Sequence, residues 1–220
     1  MLINELKLYS HNIEEQIHFY TSVLGVTCIG QSNEQASFQL GSSVLTFEYK
    51  LNATPYHFAI NIPSNKEDEA LLWLKERVEI LTDESIELHD FDFWNAKAMY
   101  FYDRDMNIVE FIARKNLHYN VREPFDSSQL LSVSEIGMPT TDIEARFQQL
   151  NKLSGIEPYD GGFERFLAVG DENGLFICVN KKRKDWFPTG DTAHSSDFEL
   201  HFTEQENDYH IRFVNDQIFD

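Results

Sequence analysis

Apolar and polar residues alternate in three short stretches that open with Glu5, His57 and Glu135, and each stretch gives way to apolar positions at helical spacing. In Glu5-Leu6-Lys7-Leu8-Tyr9, the two leucines face one way and the other three residues the opposite way, as in a half-buried strand. Asn12 with Glu15 predicts a capped helix whose buried stripe is Ile13, Ile17, Tyr20 and Leu24, ended by Gly25. Further strands are expected at 27–31, 35–40 and 44–50.

The second stretch repeats the plan. His57, Ala59 and Asn61 share one face, while Phe58, Ile60 and Ile62 share the other. Ser64 with Glu67 is read as the cap of a helix carrying Ala70, Leu71, Leu74 and Val78. Strands follow at 79–81, 98–102 and 107–114. In the third stretch, Thr141 with Glu144 is read as the cap of a helix bearing Ile143, Phe147 and Leu150, stopped by Gly155. Val26, Val78 and Ile156 stand at the same offset from the three openers, so the pattern is a repeated strand–helix unit. Two final strands, 197–202 and 209–214, lack a helix between them, which makes a fourth unit truncated.

These periods predict an α+β fold of paired βαβββ units curling into open half-barrels, with a degenerate second half. The expected division is a first domain at 1–115, a polar linker at 116–131 containing Pro124, Asp126, Ser127 and Ser128, and a second part at 132–220.

A helix covering one face of each sheet leaves the other face to line a concavity. By alternation Glu5, Glu48, His57 and Glu110 fall on the uncovered faces. If unit one pairs with unit two, these residues converge from four strands. Several carboxylates in a half-buried cup repel one another, and a cation resolves the conflict. One imidazole with oxygen ligands suits a divalent manganese, iron, nickel, cobalt or zinc ion. His57 and up to three of the carboxylates Glu5, Glu48 and Glu110 are therefore candidate metal ligands, and a carboxylate not committed to the metal could move a proton. Phe91, Phe93 and Trp94, and the run Trp186-Phe187-Pro188, are candidates for the wall of a small-molecule pocket. In the second half, Cys178 is taken as the counterpart of Glu48, and Glu199, His201 and His210 are the remaining ligand types. That half is expected to brace or lid the first cup. His11, His18, His89, His118 and His194 read as surface or loop residues.

With 220 residues, 42% apolar and 14% aromatic, the chain can bury a substantial core. Its net charge of −19 disfavours nucleic acid and anionic membranes as partners. The one basic run, Lys181-Lys182-Arg183-Lys184, reads as a solvated turn. Cys28 and Cys178 have neither disulfide-framework nor metal-type spacing. MLINELKLYS lacks a basic n-region and a long apolar run, so a cytoplasmic protein is the default.

Several segments carry a resemblance. Residues 4–26, with His18-Phe19-Tyr20 and Leu24-Gly25, resemble the opening of a vicinal oxygen chelate module. His57-Phe58-Ala59-Ile60-Asn61-Ile62 resembles the start of its second module, and 100–110, ending in Ile108-Val109-Glu110, its closing motif. This superfamily includes glyoxalase I, bleomycin-resistance and fosfomycin-resistance proteins, and extradiol dioxygenases. The resemblance implies metal ligands at Glu5, His57 and Glu110, with Glu48 as a fourth ligand or the mobile base. Glu5 departs from the His or Gln usual at the first position, and Met106 from the usual glycine of the closing turn. One His with two Glu also departs from the two-His, one-carboxylate set of iron-dependent ring cleavage. The expected function is that of a metal-dependent lyase, isomerase or dioxygenase acting on a small molecule with vicinal oxygens. The alternative is a non-catalytic binding or sequestering protein of the bleomycin-resistance type. A homodimer is compatible with this arrangement, but a main site formed by units one and two does not require it.

Overall fold

A computed structural model describes residues 1–220. The first unit consists of β1 (Leu2–Ser10), α1 (Ile13–His18), β2 (Thr27–Gln31), β3 (Gln35–Leu40) and β4 (Ser43–Tyr49). The second consists of β5 (His57–Ile62), α2 (Glu67–Lys75), β6 (Ile80–Leu81), β7 (His89–Phe91), β8 (Ala96–Tyr102) and β9 (Ile108–Arg114). The third comprises β10 (Ser132–Thr140), α3 (Ile143–Ser154), β11 (Pro158–Gly162), β12 (Phe166–Asp171) and β13 (Gly174–Asn180). Three strands without a helix complete the chain: β14 (Phe198–Glu204), β15 (Asn207–Val214) and β16 (Gln217–Phe219).

Local chemistry accounts for the helix ends, with two corrections to the sequence reading. Asn12 caps α1 by accepting a hydrogen bond from the Glu15 amide at 3.3 Å, and a π-helical turn, Phe19–Val23, extends it. Ser64 does not cap α2. Its hydroxyl donates to the Arg114 carbonyl at 2.7 Å, tying the chain to β9, and Lys66 takes the cap position without a side-chain bond. Asp142 rather than Thr141 caps α3, accepting from the Ala145 amide at 3.0 Å. Gly25 and Gly155 follow the first and third helices with φ of +67° and +72°, a left-handed turn that glycine adopts without a Cβ clash.

The strands form two open sheets in an α+β arrangement. One has seven strands in the order β16-β15-β14-β1-β4-β3-β2. The other has nine, in the order β11-β12-β13-β10-β5-β9-β8-β6, with β7 also paired to β8. The expected partnership of units one and two is therefore corrected. The opener β5 pairs antiparallel with β10, the opener of unit three, and β1 pairs antiparallel with β14 of the truncated unit. Both sheets thus cross the expected boundary between 1–115 and 132–220, and each is built from the two halves of the chain.

The inner faces of both sheets and the buried stripes of the helices share one apolar cluster of 43 residues, including Leu6, Phe47, Phe58, Phe111, Phe176 and Phe198. A separate cluster of 12, with Ala59, Tyr100, Ile112, Ile177 and Trp186, lies on the opposite face of the nine-stranded sheet. The core clamps each sheet from one side, so the pleat sends every second residue into a hollow on the other. No helix is long and apolar enough to cross a membrane.

Candidate metal centre

The nine-stranded sheet places three ligand-type side chains at one point. His57 opens β5, Glu110 lies on the parallel neighbour β9, and Glu135 lies on the antiparallel neighbour β10; Ala59 pairs with both glutamates. One ligand atom from each residue lies within 4.8 Å of the others, and all three side chains are buried. His57 Nε2 is 3.5 Å from Glu110 Oε2. At the other edge of the ring, Nδ1 stands 3.1 Å from the Ile108 carbonyl, which can only accept. The proton therefore resides on Nδ1, and the Nε2 lone pair points at the carboxylates.

Burial governs the electrostatics. It pushes His57 down to about 4, helped by the nearby positive charge of Lys184. Burial also pushes Glu110 well above the ordinary carboxylate range, reinforced by the charge of Glu135 and opposed by Arg114 and the Tyr100 hydroxyl. Glu135 is raised by burial against the pull of Arg114. Arg114 is fully buried, pairs with Glu135 through Nη2 and donates from Nε to Asn61 Oδ1 at 3.3 Å. This one cation faces two carboxylates and a neutral imidazole lone pair.

The donor set fits a divalent ion. It offers one nitrogen, in a tautomer already fixed for coordination, and two carboxyl groups, of which Glu110 would exchange the proton that burial keeps on it for the ion. Glu135 has Arg114 on one oxygen, which orients it as second partners orient metal-bound carboxylates.

The three residues lie at the floor of a cavity of about 770 Å³, within the range of drug-sized ligands. Trp186 covers His57 with ring centroids 4.9 Å apart, and Phe187 packs against Tyr100 at 5.6 Å. On the facing wall Trp94 packs edge-on to Tyr159 at 5.3 Å and donates from its indole nitrogen to Asp160 at 2.7 Å. Gly137 makes the floor passable. A Cβ there would meet the Trp186 ring at 2.7 Å and the His57 carbonyl at 3.0 Å.

The structure brings His57 and Glu110 together, and it places the aromatic candidates Phe91, Phe93, Trp94, Trp186 and Phe187 on the cavity. It does not bring Glu5 or Glu48 to them. Both belong to the seven-stranded sheet, where Glu5 accepts from Thr46 at 3.2 Å and Glu48 from Lys7 at 3.1 Å. Parity placed their faces correctly, but the sheets pair other units. Glu135, expected to belong to a bracing half, completes the cluster. Cys178 pairs with Met138 and lies in the core, so Val179, opposite Pro139, is the register counterpart of Glu48 opposite Tyr9. Glu199 and His210 remain on the seven-stranded sheet, 3.4 Å apart, and His201 stacks on His210 at 4.2 Å. His89 is buried against Phe187 rather than exposed. Arg183 and Lys184, read as part of a solvated turn, line the cavity.

No protein-family model matches the chain. A metallothiol transferase FosB from Staphylococcus haemolyticus (strain JCSC1435) is 31% identical over 116 residues, covering 49% of this chain and 80% of that protein. Among solved structures, a candidate dioxygenase from Bacillus subtilis subsp. subtilis str. 168 superposes with a TM-score of 0.60 at 14% identity, over 81% of this chain. The chain spans 63% of that protein's length. A mutant of the fosfomycin resistance protein FosX of Listeria monocytogenes, complexed with Mn(II) and 1S,2S-dihydroxypropylphosphonic acid, aligns over 52% of this chain and 90% of its own. Its TM-score is 0.41 and its identity 20%.

Proposed function

The chain belongs to the vicinal oxygen chelate superfamily, and from that membership we propose that it is a metal-dependent enzyme acting on a small molecule with two adjacent oxygen atoms. The observation that carries this reading is the buried convergence of His57, Glu110 and Glu135 at the floor of the cavity. His57 would bind through Nε2, and the glutamates through one oxygen each. A divalent ion held there would supply Lewis acidity toward a substrate oxygen.

The remaining work falls to the chain's own groups. Arg114 holds Glu135 in one orientation and supplies the fixed positive charge beneath it. Glu110 has the carboxyl most strongly biased toward holding a proton, and Tyr100 lies against it as a hydroxyl donor. That bias belongs to the metal-free protein; with an ion bound, a carboxylate released from it could accept a proton from a carbon or oxygen acid and return it. Trp186 and Phe187 shield the floor from bulk water on one side and offer apolar surface to the body of a substrate. Proton transfer beside a carbonyl, addition to an epoxide and ring cleavage would all use these parts, so the reaction type is a matter for assay.

Metal content tests the proposal. Protein purified without chelator is expected to hold about one divalent ion per chain, read by elemental analysis and by Mn(II) titration. His57→Ala is expected to hold none, with an unchanged circular dichroism spectrum. Retention of a stoichiometric ion by folded His57→Ala would refute the assignment. Binding of aromatic compounds by a protein that never takes up metal would favour the sequestering alternative.

A further inference from the structure

Most basic side chains in this acidic protein have a carboxylate partner. Lys184 does not. It has no carboxylate within 4.0 Å, yet it is partly withdrawn from solvent, with Nζ 4.6 Å from the centre of the Phe166 ring. Lys or Arg side chains elsewhere without such a partner are exposed. Burial depresses its pKa, and the positive charge of Arg165 adds to that. Arg183 stands beside them, held only by an exposed Glu164 at 4.0 Å. Two adjacent like charges without a counter-ion are unfavourable in the empty protein, and a bound anion would reverse that.

All three cations line the same cavity as His57, Glu110 and Glu135. Of the other acids on its wall, Asp160 is committed to the Trp94 indole, and Asp185 is exposed beside Lys184. The carboxylates that matter to the metal are buried at the floor, whereas Arg165 and Arg183 are exposed. Between floor and mouth stand Trp94 and Phe166, with ring centroids 6.3 Å apart, and Trp186 opposite the floor histidine. The cavity is thus chemically divided along its length.

We propose that the substrate of this enzyme is a flat, ring-bearing anion: its vicinal oxygens meet the buried triad, its ring lies among the aromatic walls, and its carboxylate or phosphate tail is received by Lys184, Arg165 and Arg183. This substrate class rests on the reading of the triad as the reacting end. The positive mouth also accounts for how an anion approaches a molecule whose net charge would otherwise repel it.

The test compares dihydrocaffeate, which joins a catechol ring to a carboxylate tail, with its uncharged methyl ester. Binding to Mn(II)-loaded protein under nitrogen is read by quenching of tryptophan fluorescence. The acid is expected to bind at least about tenfold more tightly than the ester, and the preference is expected to shrink at high salt. An Arg183→Gln/Lys184→Gln double variant should bind both compounds equally, with the ester's affinity unchanged. Equal affinities in the wild type, a preference indifferent to salt and to the double substitution, or failure of both compounds to bind would each overturn the proposal. The salt titration needs no variant, so it decides the matter even if the double variant misfolds. Competition by phenyl phosphate and by benzoate then identifies the tail: stronger displacement by the former assigns a phosphate, by the latter a carboxylate. Mn(II) stoichiometry, measured on the same samples, keeps the two readings apart. Bound metal without charge preference overturns the anion-receiving mouth alone. Charge preference without bound metal supports that mouth and overturns the catalytic reading.

Discussion

The two sheets of this protein are variations on one construction, and they put different things in the same place. In each, the opening strand of one unit runs antiparallel to a strand from the other half of the chain, with an irregularity just before the opener: between Ile3 and Glu5 in one, between Val133 and Glu135 in the other. Two residues further on the sheets part company. The nine-stranded sheet has Gly137, whose bare backbone leaves room for Trp186 and the cavity. The seven-stranded sheet has Lys7, whose ammonium lies 3.1 Å from Glu48 and 3.0 Å from Glu199. One hollow pairs its cation, Arg114, with Glu135 and gathers His57, Glu110 and Glu135 about one point; the other sets the Lys7 ammonium between Glu48 and Glu199. The parallel neighbour that contributes Glu110 to the first has no counterpart beside β14, because the truncated unit supplies only antiparallel strands. A shared fold therefore makes the hollow, and a few side chains decide whether it is a site.

Metal retention separates the two hollows most sharply. Glu135→Ala is expected to lose the ion as completely as His57→Ala, whereas Glu5→Ala and Glu48→Ala should keep about one equivalent, measured by elemental analysis. Loss of metal in Glu5→Ala would break the comparison. The next effect is on stability. Arg114→Met strands a buried carboxylate and should cost about 3–5 kcal/mol in chemical denaturation. Lys7→Met disturbs a half-open pair and should cost about 1 kcal/mol or less.

The smallest effect is the pH dependence of the metal-free protein. Glu110 holds its proton to a higher pH folded than unfolded, so its contribution to stability is complete at low pH and is lost as pH rises through its raised pKa. His57, lowered to about 4, works oppositely and adds stability as pH rises from there to the ordinary imidazole value. Above about pH 6.5 the histidine contribution is flat. From the ordinary carboxylate value up to its raised one, Glu110 should cost the chelated protein up to about 1.4 kcal/mol per pH unit, a slope that Glu110→Gln should flatten. Thermal melts across the range read both curves, and metal-loaded protein should not show the decline.

Strand identity and facing were legible in the sequence because alternation records which side of a strand meets the core. Leu6 and Leu8 against Lys7 and Tyr9 fix β1 as strongly as Phe58 and Ile60 fix β5. Alternation says nothing about which strand pairs with which, and that gap led to Glu5 rather than Glu135. A signal was present. The outer face of β1 is charged and aromatic, as suits a solvent-facing sheet, whereas β5 and β10 hold only His57 and Glu135 as ionisable residues. Strands covered on both faces read as nearly uncharged runs, so β5 and β10 belonged beside each other. A second signal was Arg114, a cation ending a buried apolar strand that needed a carboxylate from elsewhere. The basic run at 181–184 hid its role because a turn and the lip of a cavity look alike in one dimension.

His57 and Glu110 precede the connecting segment and Glu135 follows it, so the candidate ligand set is divided between the two portions of the polypeptide. A fragment ending at residue 115 would carry two-thirds of the coordination set beside an unpaired edge of β5, and the complementary fragment only a lone carboxylate without Arg114. Neither portion carries the whole candidate set. Exchange of one half of this chain for another sequence would therefore have to preserve the seam along β5 and β10.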